Sequence, residues 1–329
     1  MLRIFHGTQY DFIRWWKWAA GITIAFIVIG VGSLLLYTPN FSIEFTGGTL
    51  MQLQFSKPAD VGELRGYLDA AGIRGAEIQQ FGSNRDYTIR AQESEKANAA
   101  STGAETVARQ IENLLVQKYG AQNVRVIRTE AVGPKVGDEL SRDAIIAMLL
   151  SFLVTTVYLA IRFEWRFAIA ALIATSHDVL TTAAFIKLMH LEISLTVVAA
   201  ILTVIGYSLN DTIIIFDRVR ENLRKNRKEP LYDTLNRSIN ETLPRSILTH
   251  ATAFASTMAL LIFAGEVIRP FAWVMAFGIF TGTFSSIYVA SPVLLWIERK
   301  WPRRTAAFQT SSTATRTSPT RRSPATATR

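Results

Sequence analysis

Six apolar runs, each of about twenty residues with few charges, dominate this chain, at 16–37, 143–161, 167–189, 195–216, 247–265 and 271–297. A helix of that length crosses the hydrocarbon layer of a bilayer, and lipid offers no partners to irregular backbone, so the runs predict six transmembrane helices. The third run is the most polar, because it contains His177, Asp178 and Lys187. The first is too long, and too aromatic at its start (Trp15, Trp16, Trp18), for a signal-peptide core, and no small-residue cleavage site follows it. It is expected to remain as an anchor.

Basic residues orient these runs. Arg3, Arg14 and Lys17 near the start predict a cytoplasmic N-terminus over residues 1–15. Alternation then places 38–142 outside, the 162–166 turn inside, the 190–192 turn outside, a basic loop 217–246 inside, and the tail 298–329 inside. The inner loop holds Arg218, Arg220, Arg224, Lys225, Arg227, Lys228, Arg237 and Arg245, as the positive-inside rule requires, and the tail adds Arg299, Lys300, Arg303 and Arg304.

The net charge of +9 is therefore mainly a topology signal. Nucleic acid is not an expected partner, since the basic residues flank membrane ends and are not interleaved with stacking aromatics. Anionic lipid headgroups are, at about 1 kcal/mol per basic side chain near the surface. With no cysteine, neither disulfides nor thiolate metal sites are available. His6, His177, His190 and His250 show no ligand spacing, so no metal site is expected.

The 38–142 segment reads as one small α+β domain. Met51, Leu53 and Phe55 alternate with Gln52 and Gln54 as a half-buried strand. Asp60 with Glu63 three residues on marks a helix start leading into Leu64, Tyr67 and Leu68. Strands at 77–81 and 87–91 flank a Gly82-Ser-Asn-Arg turn, a second helix spans about 103–119 with Val107, Ile111, Leu114 and Leu115 on one face, and Val124-Arg-Val-Ile closes a β-α-β-β-α-β order of the ferredoxin-like type. No nucleophile–base pair, phosphate loop or carboxylate cluster appears in it, and no enzymatic activity is expected. The tail from 305, rich in Thr, Ser, Ala, Arg and Pro, predicts disorder.

The costliest residue is Asp211 in the fourth run. A carboxylate near the hydrocarbon core costs at least about 2.5–3.5 kcal/mol, which makes it a candidate proton or ion site. The alternative is an interfacial residue that caps or snorkels. Thr203, Gly206, Tyr207, Asn210 and Asp211 recur at helical spacing as one polar stripe, which calls for a protein neighbour rather than lipid. In the third run, His177 and Asp178 suit either a second relay or a cross-helix hydrogen bond. Thr249, Thr252 and Ser256 suit either a water wire or packing, and Gly278 with Gly282 is a weak helix-contact signal. Asp217 and Arg218 read as a helix-end ion pair, and Gly47-Gly48 as a flexible turn.

Several of these strings resemble one family. Phe41-Ser-Ile-Glu-Phe-Thr-Gly-Gly-Thr-Leu50 is similar to the DFTGGT element of the SecD/SecF protein-export family, with Glu44 where Asp is common. Tyr207-Ser-Leu-Asn-Asp-Thr-Ile-Ile-Ile-Phe-Asp-Arg218 resembles its fourth-helix signature. Ser238-Ile-Asn-Glu-Thr-Leu-Pro-Arg-Ser-Ile247 resembles the segment entering the fifth helix, with Pro244 placed near that helix's start, and His177-Asp178 matches the third-helix pair. The resemblance runs from about 10 to 300 and favours the SecF branch, because one modest external domain lies between the first two helices.

The resemblance implies half of a resistance-nodulation-division transporter with a ferredoxin-like periplasmic domain, in the inner (plasma) membrane, with both termini cytoplasmic. It implies SecD, SecYEG, SecA and YajC as partners and unfolded preprotein as substrate. The energy source would be the proton gradient, with no bound cofactor. Asp211 then matches the family's proton-pathway carboxylate, Arg245 its basic partner, and Asn210 a neighbour that orients the carboxylate. From its residues alone, Arg245 is equally a positive-inside anchor. Two other functions stay open: one half of a proton-coupled small-molecule efflux transporter, and a scaffold of the export channel that transports nothing.

Overall fold

The computed structural model describes residues 7–73, 75–91, 103–265 and 267–302. Arg3, His6 and the tail from 303 lie outside the described residues. In chain order the elements are α1 (Trp16–Leu36), a single turn α2 (Ile43–Thr46), β1 (Gly48–Phe55), α3 (Val61–Ala70), β2 (Glu77–Gln80), β3 (Asp86–Ala91), α4 (Gly103–Tyr119) and β4 (Val124–Val132). They continue with α5 (Pro134–Arg162), α6 (Trp165–Leu188), α7 (Leu195–Lys225), α8 (Leu231–Phe263), α9 (Arg269–Ser285) and α10 (Ser291–Lys300), the last two joined by a π-helical turn, Ser286–Ala290.

Six of the described helices are long and apolar enough to cross a membrane: α1, α5, α6, α7, α8, and α9 with α10 as one span. The most apolar windows of α6, α7 and the α9–α10 span are 50%, 50% and 61% buried, against 11% for α1 and α5 and 17% for α8, so the first three form the centre of the bundle. Small residues bring the helices together, as expected where lipid supplies no hydrophobic drive. A β-carbon at Gly30 would overlap Ala184 of α6, and one at Gly278 would overlap Val204 of α7. The Gly278/Gly282 pair is thus a helix contact.

Helices overrun the hydrocarbon limits read from hydropathy. α5 starts at Pro134, immediately after β4, so 134–142 is helix continuous with the second apolar run. The 217–246 stretch is helical except around 226–230, because polar pairs support α7 and α8 beyond their apolar cores. Arg218 Nε donates to Glu241 at 2.6 Å and its Nη1 to Glu221 at 2.5 Å, while Lys225 donates to Glu221 at 2.6 Å. Buried Asn222 donates to Ser238 Oγ at 3.0 Å and to Glu241 at 2.8 Å. Pro244 consequently sits inside α8 rather than at its start. Having no N–H, it leaves the carbonyl of Asn240 without its helical donor.

The sheet order is β2-β3-β1-β4, all antiparallel, which is the ferredoxin-like arrangement. Met51, Leu53 and Phe55 are buried against Leu64 and Leu68 of α3 and Ile111 and Leu115 of α4. Asp60 accepts from the Glu63 amide at 3.0 Å as the N-cap of α3. In the β2–β3 hairpin, hydrogen bonds from Ser83 and then Gln54 hold the Asp86 carboxyl below its ordinary value.

The join between domain and bundle is close-packed, not a flexible turn. Gly47 has φ +69°, and a β-carbon there would lie 3.0 Å from Pro134 Cα; one on Gly137 would lie 3.0 Å from Gly47 N. The 38–47 segment is also tied to the α6–α7 turn. Ser42 N donates to Ile193 O at 2.9 Å, Ile193 N to Asn40 O at 2.7 Å, and Lys187 Nζ to Thr38 O at 2.8 Å. The Glu44 carboxylate accepts from the Leu195 amide at 2.6 Å, which puts a negative charge at the N-terminus of α7. Arg90 at the end of β3 pairs with Glu192 in the same turn and donates to Phe41 O at 3.3 Å.

Burial pushes the Glu192 carboxyl above its ordinary value, and Arg90 opposes the shift while Glu44, Glu130 and Glu77 add to it. A carboxyl with a raised native value favours the folded state below its unfolded value and loses that contribution as pH rises through the native one. Removing Arg90 takes away the compensating cation only where Glu192 is ionised. Arg90→Ala is therefore expected to destabilise the protein by about 1 kcal/mol near pH 7 and by much less near pH 4. Thermal unfolding in detergent at the two pH values checks this, and an equal loss at both would exclude a charge-based role for the pair.

Candidate functional site: two buried carboxylates flanking α7

α7 carries the chemistry because it is the helix whose polar residues point in several directions. On one side, Asp211 is 3% exposed and its Oδ1 accepts from the Ser246 hydroxyl of α8 at 2.5 Å. Its Oδ2 is buried and has no hydrogen-bond partner. One turn above, the Tyr207 hydroxyl donates to the Thr249 carbonyl at 3.2 Å, and the Tyr207 ring meets the His250 imidazole edge-on, with centroids 5.2 Å apart at 89°.

On the other side, Asp178 of α6 is completely buried. Its Oδ2 accepts from the Ser208 hydroxyl of α7 and, at 2.7 Å, from the Ser285 hydroxyl of α9; its Oδ1 lies 3.0 Å from His177 Nδ1. Beside this, the Thr212 and Ser286 hydroxyls are 2.7 Å apart. The π turn begins at Ser286, where the wider helical spacing changes which residues point inward, and both Ser285 and Ser286 are fully buried. Gly282 permits the approach, because a β-carbon there would sit 3.0 Å from Ser208 Cβ and 3.1 Å from Ser208 Cα. Asp178 thus makes cross-helix hydrogen bonds, while His177 Nε2 is buried and has no hydrogen-bond partner among the described residues.

The structure does not bring Arg245 or Asn210 onto Asp211. Arg245 is exposed, and among the described contacts none joins it to the carboxylate. Adjacent residues on a helix point about 100° apart, and it is Ser246 that α8 turns inward. Asn210 is exposed for the same reason, beside buried Asp211. Thr203 and Gly206 are exposed too, as are Thr249, Thr252 and Ser256 on α8, whose hydroxyls bond to their own helix backbone. Among the described residues no cluster of His, Asp and Glu has the makings of a metal site.

Residues 111–300 match the family described as protein export membrane protein SecD/SecF, C-terminal, and residues 32–59 match the SecD/SecF GG motif. The protein translocase subunit SecF of Gemmatimonas aurantiaca is 64% identical over 305 residues, covering 92% of this chain and 91% of its own. The chain belongs to the SecD/SecF family, on its SecF branch. The SecF subunit of Escherichia coli O157:H7 is 38% identical over 296 residues, 90% of each chain. A crystal structure of SecDF from Thermus thermophilus, a translocon-associated membrane protein, superposes with a TM-score of 0.78 at 33% identity over 89% of this chain, which spans 39% of that longer one.

The family assignment makes this a multi-pass membrane protein of Sec protein export, and small-molecule efflux is not favoured. Its fold is half of a resistance-nodulation-division transporter with a ferredoxin-like domain between the first two membrane helices. The GG match falls on Gly47 and Gly48, whose packing against the start of α5 supplies a physical reason for glycine there. Sequence reasoning missed Ser246, His250, Ser208 and Ser285. The Ser246/His250 spacing of four residues was a visible signal, whereas Ser208 and Ser285 meet Asp178 only through the packing of α6, α7 and α9, which leaves no sequence mark.

Gly282→Ala is expected to force α9 from α7 and stretch the Ser285–Asp178 bond, at about 1–3 kcal/mol, as overpacking typically costs. A β-carbon at Gly206, by contrast, meets nothing within 4 Å, so Gly206→Ala should leave the isolated chain as stable or up to about 1 kcal/mol more so. Chemical unfolding of the two variants in detergent measures the difference, and equal stabilities would refute the close-packing account.

Proposed function

We propose that this chain works with SecD to couple the proton-motive force to late, SecA- and SecYEG-dependent export of unfolded proteins, Asp211 being the group that takes up and releases the proton. The observation that carries this is the bonding of Asp211: a buried carboxylate in a central membrane helix, held by one neutral hydroxyl and, among the described residues, by no fixed cation. Permanent clamping to a guanidinium would favour the ionised form throughout. A single serine donor holds the carboxyl in place while leaving both protonation states accessible.

The exposed polar residues Thr203, Gly206 and Asn210 on α7 and Arg245, Thr249, Thr252 and Ser256 on α8 support a membrane partner across this face. The similarity to part of a SecDF chain argues that SecD supplies it. Arg245, on the helix next to the carboxylate, is then available as the basic partner in another state of the cycle, with Asn210 beside it. YajC is a further expected component of this assembly. The basic ends at Arg14, Lys17, Arg218, Arg220, Arg224 and Lys225 support cytoplasmic termini, an inner-membrane location and contact with anionic lipid. The gradient is the sole energy source in this scheme, with no cofactor.

Export of a reporter protein into membrane vesicles, with and without a proton gradient, tests the assignment. Asp211→Asn is expected to abolish the gradient-dependent part of export, a loss of at least about 10-fold, while the variant still assembles. Equal gradient dependence in wild type and variant would instead support a scaffold.

A further inference from the structure

We propose that His250 is a second proton-carrying group of the Asp211 site; this rests on the assignment of Asp211 as the proton site. Ser246 organises both residues. Its hydroxyl donates to Asp211 Oδ1 at 2.5 Å, and its carbonyl lies 2.5 Å from His250 Nδ1. A carbonyl only accepts, so Nδ1 carries the hydrogen and the neutral ring presents Nε2 as a lone pair.

Both outward atoms of this assembly are buried and lack protein partners: Asp211 Oδ2 and His250 Nε2. Buried polar atoms are usually paired, so two such atoms on residues of facing helices that both bond to Ser246 are a specific signal. Tyr207 fixes the ring from the side, edge-on, while its hydroxyl is engaged with the Thr249 carbonyl. The imidazole is therefore oriented by its neighbours, and its free nitrogen is the one available for a proton.

The two atoms are not hydrogen-bonded to each other, so the step runs through one bridging water that is not consumed. The O–H bond at Asp211 Oδ2 breaks as the water takes that proton, the water gives up another as an N–H bond forms at His250 Nε2, and a neutral acid and neutral imidazole become a carboxylate and an imidazolium. The pair holds zero, one or two protons, and with one it places the charge on either helix. The other ionisable groups near it are few. Tyr207 faces it from α7 and Arg245 lies on its own helix, exposed. Across α7, Asp178 is occupied by Ser208, Ser285 and His177, and α9 has Arg269 at its start as its one charged residue.

The test uses the chain assembled with SecD in export-competent vesicles. His250→Gln keeps a donor for the Ser246 carbonyl but cannot carry a proton. Gradient-dependent export is expected to fall by at least about 10-fold and to lose one ionisation from its pH profile. A wild-type pH profile in His250→Gln overturns the proposal and leaves Asp211 standing; retained gradient dependence in Asp211→Asn is the separate failure of the underlying assignment. Nitrogen-15 histidine spectra of the assembled protein guard against a merely structural effect. The His250 Nε2 signal is expected to differ between vesicles with and without an imposed proton gradient, and a signal that the gradient leaves unchanged overturns the proposal.

Discussion

A membrane interior supplies no hydrogen-bond donors to a carboxylate, and the arrangement of this protein follows from placing two carboxylates around one helix under that constraint. α7 solves the problem in both directions. It receives the Ser246 hydroxyl at Asp211 and lends the Ser208 hydroxyl to Asp178. The Asp178 solution demands close approach of α9 to α7, hence glycine at 282 against Ser208. The two sites differ in chemistry. Asp178 has three donors distributed over both oxygens and functions as a fastening of α6, α7 and α9, whereas Asp211 has one donor and a free oxygen.

The same helix is tied to the sheet domain. Glu44 caps its N-terminus, and the turn that precedes it holds Glu192 for Arg90. The GG segment meanwhile rests on the start of α5, in near-contact of backbone with backbone. The domain thus has two attachments to different membrane helices, both short. Any relative displacement of α5 and α7 must therefore turn the sheet or open the Arg90–Glu192 pair.

The parts of this fold that are legible in the sequence are those set by local periodicity. Apolar length marks the membrane helices, alternation marks β1, and the Asp60/Glu63 pair marks the start of α3, each confirmed by burial or by a cap. Helix limits were not legible at 134 and across 217–246, because polar pairs such as Arg218 with Glu241 continue a helix where hydropathy has stopped. Pro244 was deceptive for the same reason: it resembles a start signal but sits within α8. Topology brings Arg245 and Asp211 to similar depth, but it says nothing about rotation, and one residue of rotation exchanges a guanidinium for a serine. The spacing of His250 from Ser246 is visible in the sequence, but only the packing of α8 on α7 reveals its contact with Tyr207.

Arg245 gains meaning from this displacement. A guanidinium exposed on a helix that crosses the membrane must reach an interface or find polar company, and lipid tails offer none. It is one residue from the serine that holds Asp211, on the same chain face as Thr249 and near the exposed stripe of α7. Under the proposed coupling, a small rotation of α8 would replace the Ser246 hydroxyl by this fixed cation, converting a site that tolerates a proton into one that expels it. Pro244, which interrupts the hydrogen bonding of α8 immediately before these two residues, lowers the cost of that rotation at the point where it is needed.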